Sequence, residues 1–147
     1  MTRSIWIIVA LMVPIGLMGM DEGTPKDTAA VRFIPVDLFV DSGATPLGAW
    51  QLEFTGHGDV ELVGVEGGEH PAYKQPPHYD TEALMHDRVI LAALNTTDTL
   101  PTGKTRVARL HLRVSGEPTF ETTLIAAGDA DGERIDATAT AASGGIE

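Results

Sequence analysis

The sequence predicts an all-β sandwich, and three observations lead to that fold class. Apolar and polar residues alternate with a period of two in several segments, which is typical of strands that bury one face. Segments rich in Gly, Pro, Asp or Ser interrupt this alternation about every 8 to 12 residues, a spacing typical of sandwiches. Helical periodicity is nearly absent, since only residues 80–86, where Asp80 or Thr81 can cap a single turn, suit a helix.

Seven segments are predicted to be strands. The clearest spans residues 105–114, because Leu110 and Leu112 fall on one face while Arg109 and His111 fall on the other. Glycine-containing segments at residues 56–58, 115–116 and 131–132 are predicted turns, the last a type I′ hairpin turn or a slightly longer loop. The predicted strands are residues 36–40, 50–54, 62–65, 89–94, 105–114, 120–126 and 135–140.

The first 20 residues predict a hydrophobic signal helix, so the chain is expected in the periplasm, the cell envelope or the medium of a bacterium. Arg3 supplies the positive start, and residues 5–20 carry no charge. This run is shorter than the roughly 20 residues of a bilayer span, so cleavage as a signal peptide is favoured over retention as a signal anchor. The rest of the chain is expected to form a flexible polar spacer at 21–30, a sandwich domain at 31–142 and a flexible tail at 143–147.

Charge and composition argue against several function classes. Ten Lys and Arg against 21 Asp and Glu give a net charge of −11. Binding to nucleic acid or to anionic lipid needs a basic surface, so both classes are disfavoured. The sequence contains no cysteine, which excludes disulfides, thiolate metal ligands and cysteine nucleophiles.

Three stretches of this chain, taken in order, resemble cohesin domains. The first combines residues 47–54 (LGAWQLEF) with residues 59–68 (DVELVGVEGG), where a small-residue turn and an aromatic lead into alternating apolar residues. The second, residues 104–114 (KTRVARLHLRV), is similar to a late strand of the family. The third, residues 128–140 (GDADGERIDATAT), is similar to its closing hairpin.

The resemblance covers roughly residues 31–141 and implies a cohesin-like jelly-roll sandwich of about seven to nine strands. Such domains are non-catalytic and present one sheet face to a protein partner, typically a dockerin. The chain departs from the family before Gly48, where little sequence is left for the first two strands.

Five residues are candidates for binding. Gln51 and Glu53 alternate with Trp50, Leu52 and Phe54, so they are expected to line a polar sheet face of the kind on which a partner docks. The other three, Tyr73, His78 and Tyr79, lie in a long excursion between strands, and loops of that length are often functional. The two tyrosine rings are open to two interpretations, contact with a sugar or partner and capping of the end of the sandwich.

Signals for metals and catalysis are weak. His70, His78 and His86 are spaced too widely for a metal motif and are expected to be solvated. An EF-hand at Asp129 and Asp131 is rejected, because aligning the loop glycine puts Ala and Thr where the first and last carboxylates belong. A weak Ca²⁺ contact at Asp129 and Asp131 stays open as an alternative. No Gly-x-Ser-x-Gly elbow is present and no residue stands out as catalytic.

The function predicted from the sequence is therefore that of an exported, acidic, non-catalytic binding module without a cofactor. Its partner is predicted to be a protein, recognised through a sheet face. Two alternatives remain, a carbohydrate-binding module that takes a cell-surface polysaccharide and a calcium-modulated structural protein of the envelope. Asn95 has the N-glycosylation spacing, but an unmodified turn is expected there.

Overall fold

The computed structural model describes residues 29–144. The predicted signal segment, most of the predicted spacer and residues 145–147 lie outside this range. Within the described range, no helix is long and apolar enough to cross a membrane.

The described residues form one antiparallel sheet of six strands, so the all-β prediction is confirmed. The strand order is β3-β4-β2-β5-β1-β6. Two short 3₁₀ turns lie at Pro71–Tyr73 and Thr81–Ala83, and Asp80 caps the second by accepting a hydrogen bond of 2.9 Å from the Glu82 amide. The strands are β1 (Val31–Asp41), β2 (Ala49–Gly67), β3 (His78–Tyr79), β4 (Arg88–Leu94), β5 (Lys104–Gly128) and β6 (Thr138–Ser143).

The number of strands in the described residues differs from the seven predicted segments for two reasons. Two predicted turns are bends inside long strands, which merges four predicted strands into two, and the short strand β3 was not predicted. β2 runs through Gly58 and β5 runs through Gly116, and both glycines have positive φ, at 98° and 69°. The two bends face each other: the ladder shifts register beside Gly58 and then resumes. Because both strands bend at the same place, the ladder continues past each glycine, and neither glycine ends its strand.

These bends fold the sheet into two halves. We call the first the β4 half, which contains β3, β4, residues 49–57 of β2 and residues 119–128 of β5. The second is the β1 half, which contains β1, β6 and the remaining parts of β2 and β5.

One hydrophobic core is shared by both halves. The predicted alternation is confirmed, since Trp50, Leu52 and Phe54 are buried in the β4 half while Leu110 and Leu112 are buried in the β1 half. Burial of such side chains stabilises the fold by about 1.5–3 kcal/mol each. Because burial alternates along most of each strand, apart from the bends and bulges, each half keeps a separate outer face.

The C-terminal strand begins later than predicted, at Thr138 rather than at residue 135. Before it, Asp129 closes a loop by accepting hydrogen bonds from the amides of Asp131 (3.0 Å) and Glu133 (2.9 Å). Gly132 has a φ of 84° in this loop. Among the described residues of this loop only Gly132 has positive φ, so the segment is the longer loop of the two that the sequence allowed and not a type I′ turn.

Candidate binding groove on the outer face of the β4 half

Outward side chains from four strands meet on one surface, which we call the β4 face. His78, Ala92, Gln51 and Ala126 form a row across β3, β4, β2 and β5, since each pairs directly with the next. The next row along β4, β2 and β5 is formed by Ile90, Glu53 and Thr123. The structure thus brings three of the predicted binding residues, Gln51, Glu53 and His78, onto a single face.

The first row opens into a cavity of about 740 Å³, which we call the groove. The alanines at positions 49, 92 and 126 contribute small side chains to its lining, and Gln51 lies among them. The loop before β3 contributes Pro76, Pro77 and His78, and the segment after β5 contributes Arg134. A volume of this size is within the range of ligand-binding clefts.

Glu53 forms an ion pair on the β4 face next to the groove. Its carboxylate accepts a hydrogen bond of 2.6 Å from the Arg88 guanidinium. This hydrogen bond, together with the positive charge of Arg88, holds the pKa of Glu53 below its ordinary value of 4.5, against the opposing effect of desolvation. Arg88 thus neutralises the charge of Glu53 beside the exposed apolar side chain of Ile90.

Tyr73 belongs to the core. Its ring is only 3% exposed, packs edge-on against Trp50 with centroids 6.0 Å apart, and donates a hydrogen bond of 2.5 Å to the Leu47 carbonyl. Burial raises the pKa of Tyr73 to about 12. This burial agrees with the interpretation that the ring caps the end of the sandwich. Tyr73 also lines the groove, and a role for it in binding stays a prediction.

Tyr79 is also turned inward. It pairs with the buried residue Leu91, and its half-buried ring packs against the core. Its neighbour His78 points to the opposite side and is exposed on the β4 face. The period of two in a strand explains why adjacent candidates separate in this way.

The loop that supplies one wall of the groove is tied down by glycines and by Asn95. A Cβ on Gly67 would lie 2.1 Å from the Lys74 carbonyl oxygen. The loop thus approaches β2 so closely that only glycine fits at this position. Asn95 Nδ2 donates a hydrogen bond of 2.7 Å to the Ala72 carbonyl. The N-glycosylation spacing thus coincides with an asparagine whose amide is used to hold the loop.

The groove contains residues that the sequence did not single out, Arg134 above all. The groove is assembled from four separate segments of the chain, residues 49–51, 72–78, 92–94 and 126–134. Pairs of alanines at residues 92–93 and 126–127 were the available signal, because small residues inside a strand often mark a close approach. Trp50 also lines the groove, and its buried Nε1 has no hydrogen-bond partner among the described residues.

Predicted metal contacts remain predictions. In residues 29–144, no three His, Asp or Glu side chains converge as a metal site would need. The Oδ1 atom of Asp129 already accepts two amide hydrogen bonds that close its own loop. A weak Ca²⁺ contact there would have to share this oxygen or use the other one.

The outer face of the β1 half, which we call the β1 face, has a different character. Asp37 accepts hydrogen bonds of 2.7 and 3.0 Å from Arg109 and a longer one of 3.5 Å from Arg106. The hydrogen bond from Arg109 is the largest cause that holds the pKa of Asp37 below its ordinary value of 3.8. Phe33 and Val63 are exposed on the same face, at 69% and 37%.

Comparison with known proteins supports the fold. No family model matches the chain, and no curated protein matches it either. Among solved structures, the chain is similar to a non-cellulosomal cohesin from the hyperthermophilic archaeon Archaeoglobus fulgidus. The TM-score is 0.52 and the identity 14%, over 74% of this chain and 75% of that one. The resemblance to cohesin domains is therefore confirmed at the level of the fold.

Proposed function

We propose that this protein is a non-catalytic, exported binding module that recognises a protein partner through the β4 face. The observation that supports this most is the combination, on one face, of a groove with exposed apolar side chains. Leu94 and Ile90 are 74% and 39% exposed there, and the carboxylate of Glu53 is neutralised by Arg88. Protein interfaces favour such a centre, where few unpaired charges have to be desolvated.

The cohesin-like fold supports a protein partner, and a dockerin-like domain is the form that the resemblance implies. The archaeal structure is described as a cohesin, and it shares the fold with this chain. Fold alone does not determine function. The proposal therefore depends on the β4 face itself.

The positions of the aromatic rings favour a protein over a polysaccharide. A flat sugar-binding surface displays aromatic rings for stacking, but Tyr73 and Trp50 are 3% and 2% exposed and Tyr79 packs inward. Gln51 and His78 remain as polar contacts on the β4 face. Amide and imidazole groups can bond to the backbone of a partner as well as to sugar hydroxyls.

A non-catalytic role agrees with how the serines are used. Ser42 Oγ donates a hydrogen bond of 2.8 Å to the Thr45 carbonyl, and Ser115 Oγ donates one of 2.9 Å to the Ala29 carbonyl. Both hydroxyls therefore contribute to local structure. Neither is hydrogen-bonded to a histidine, the arrangement that activates a serine nucleophile.

Two matched substitutions test this proposal. The full chain, with Ile90→Glu on the β4 face or Val63→Glu on the β1 face, would be immobilised and exposed to an envelope extract of the source organism. The two side chains are 39% and 37% exposed, so the substitutions place the same charge on surfaces of nearly equal exposure. Thermal unfolding would establish that both variants are folded.

We expect the wild type and the Val63→Glu variant to retain the same protein and the Ile90→Glu variant to lose it. If the Val63→Glu variant alone fails to retain the protein, the interface lies on the β1 face and not on the β4 face. If only cell-wall polysaccharide is retained, the carbohydrate-binding alternative replaces the proposal. Repeating the experiment with a chelator tests the calcium dependence that a dockerin-like partner would bring.

A further inference from the structure

Arg134 differs from the other arginines of the described range in having no partner. Arg88, Arg106, Arg109 and Arg113 each form an ion pair with a carboxylate, and Arg32 donates to a main-chain carbonyl. In residues 29–144, the Arg134 side chain forms no ion pair and no hydrogen bond, and the residue is exposed at the groove. Its five N–H donors are free to bind a carboxylate in two-point geometry.

The groove is free of acidic residues although the chain as a whole is strongly acidic. The net charge is −11, yet no Asp or Glu lines the groove, and its ionisable lining residues are Arg134, His78 and the buried Tyr73. The groove is therefore the place on this face where an anionic group meets a cation without a competing carboxylate. Elsewhere in residues 29–144, four guanidinium groups are paired with carboxylates, and that of Arg32 is used by a main-chain carbonyl.

Shape and polar groups select the kind of molecule that carries the anion. The alanines allow a backbone to approach the sheet, and the side-chain amides of Gln51 and Gln75 offer both donors and acceptors for peptide groups. Pro76 and Pro77 come directly before β3, whose pairing with β4 covers His78 and Tyr79. Because proline has no N–H, these two residues cannot lengthen β3 as a hydrogen-bonding edge, which favours a segment that lies across the groove.

We propose that the groove binds an extended segment of a protein partner and that Arg134 anchors an Asp or Glu side chain of that segment. This inference rests on the proposed function, since it names the contact that a protein partner would make on the β4 face. A pyranose ring with a carboxylate would supply the same charge. It would find no exposed aromatic ring among the described residues that line the groove.

The test is a selection of random twelve-residue peptides, displayed on phage, against the full chain and two variants. Arg134→Gln removes the anchor. Lys74→Gln is the matched control, because Lys74 is an exposed cation that belongs to the loop forming one wall but is not itself among the residues that line the groove. An enriched peptide would be synthesised and titrated by calorimetry, with its acidic residue intact and replaced by the amide.

We expect the selected peptides to share an acidic residue and to bind the Arg134→Gln variant at least tenfold more weakly, with no change for Lys74→Gln. Replacing the acidic residue by its amide should cost the same factor in the wild type and nothing further in Arg134→Gln, as a double-mutant cycle requires for a direct pair.

Four results would overturn the inference, and they separate it from the proposed function. Peptides without an acidic residue, or equal binding by Arg134→Gln, would refute the role of Arg134 and leave recognition of a protein intact. No enriched peptide would refute the groove as a peptide site, and the substitutions at Ile90 and Val63 would still test the face. Retention of polygalacturonate by the wild type and not by Arg134→Gln, with no peptide enriched, would contradict both proposals in favour of an acidic polysaccharide.

Discussion

The Tyr73 hydroxyl donates a hydrogen bond of 2.5 Å to the carbonyl oxygen of Leu47, 26 residues earlier in the chain. Both residues are buried, and the Tyr73 ring packs edge-on against Trp50. This contact joins the loop that forms one wall of the groove to the segment that leads into β2. The shape of the groove therefore depends on a hydrogen bond made beneath it.

Removing this hydrogen bond should weaken the fold and change its response to alkali. Tyr73→Phe leaves the Leu47 carbonyl without its partner, so the free energy of unfolding should fall by about 1–3 kcal/mol. The pKa of Tyr73 is raised from 10.0 to about 12 in the folded state. The stability linked to it is therefore fully present below pH 10 and is lost as the pH rises through about 12.

Urea denaturation of the wild type and of Tyr73→Phe between pH 8 and about 12 checks this sign. In Tyr73→Phe, the free energy of unfolding should fall less at high pH than in the wild type, because the contribution of Tyr73 is missing. In Tyr79→Phe, it should fall as much as in the wild type. An equally steep alkaline loss in Tyr73→Phe would show that the ring is not buried as described.

The close approach of the loop to β2 predicts that alanine substitutions at two glycines of this strand change the free energy of unfolding by different amounts. Gly67→Ala would place a Cβ 2.1 Å from the Lys74 carbonyl oxygen, and a backbone atom cannot move aside cheaply. We expect a loss of roughly 2 kcal/mol or more in the free energy of unfolding. In Gly64→Ala the nearest atoms belong to the His111 side chain at 3.7 Å, so that variant should stay within about 0.5–1 kcal/mol of the wild type.

Chemical denaturation of both glycine variants measures this difference, and peptide binding by Gly67→Ala would report on the groove wall. Equal stability of the two variants would mean that the loop does not lie against β2.

The pair of Asp37 with Arg109 predicts a defined loss of stability in acid. Asp37 is 13% exposed and its pKa is lowered below 3.8, chiefly by the hydrogen bond from Arg109. The stability from this pair is fully present above pH 3.8 and is lost as the pH falls through the lowered pKa. Asp37→Asn should cost about 2 kcal/mol at neutral pH, and the difference from the wild type should shrink in acid.

Free energies of unfolding at several pH values between 7 and about 2 measure this difference. Glu53→Gln is the control, because its partner Arg88 is 57% exposed and solvent screens the pair. A gap between Asp37→Asn and the wild type that stays constant into acid would contradict the ion pair.

The sequence predicted the fold through patterns that are local. Alternation placed Trp50, Leu52 and Phe54 in the core and turned Gln51 and Glu53 outward, and the structure agrees. The strand count was wrong for two reasons: a glycine looks the same in sequence whether it lies in a turn or in a bend, and the two-residue strand β3 was not predicted. Whether Gly58 ends a strand depends on Gly116, far along the chain, which bends at the same point.

The groove could not be predicted in the same way. His78 and Tyr79 are adjacent in sequence, yet their directions depend on the pairing of β3 with β4, which no local pattern specifies. Tyr73 was a candidate contact residue and lies in the core, because its hydroxyl finds a buried carbonyl acceptor at Leu47. Arg134 gave no signal at all, since being unpaired is a property of its surroundings.

Side-chain footprinting of the complex with the retained protein tests the central claim most directly. Leu94 on the β4 face and Phe33 on the β1 face are 74% and 69% exposed, so hydroxyl radicals should oxidise both in the free protein. We predict that the partner protects Leu94 and Ile90 and leaves the oxidation of Phe33 and Val63 unchanged. Protection of Phe33 and Val63, with Leu94 still oxidised, would contradict binding through the β4 face.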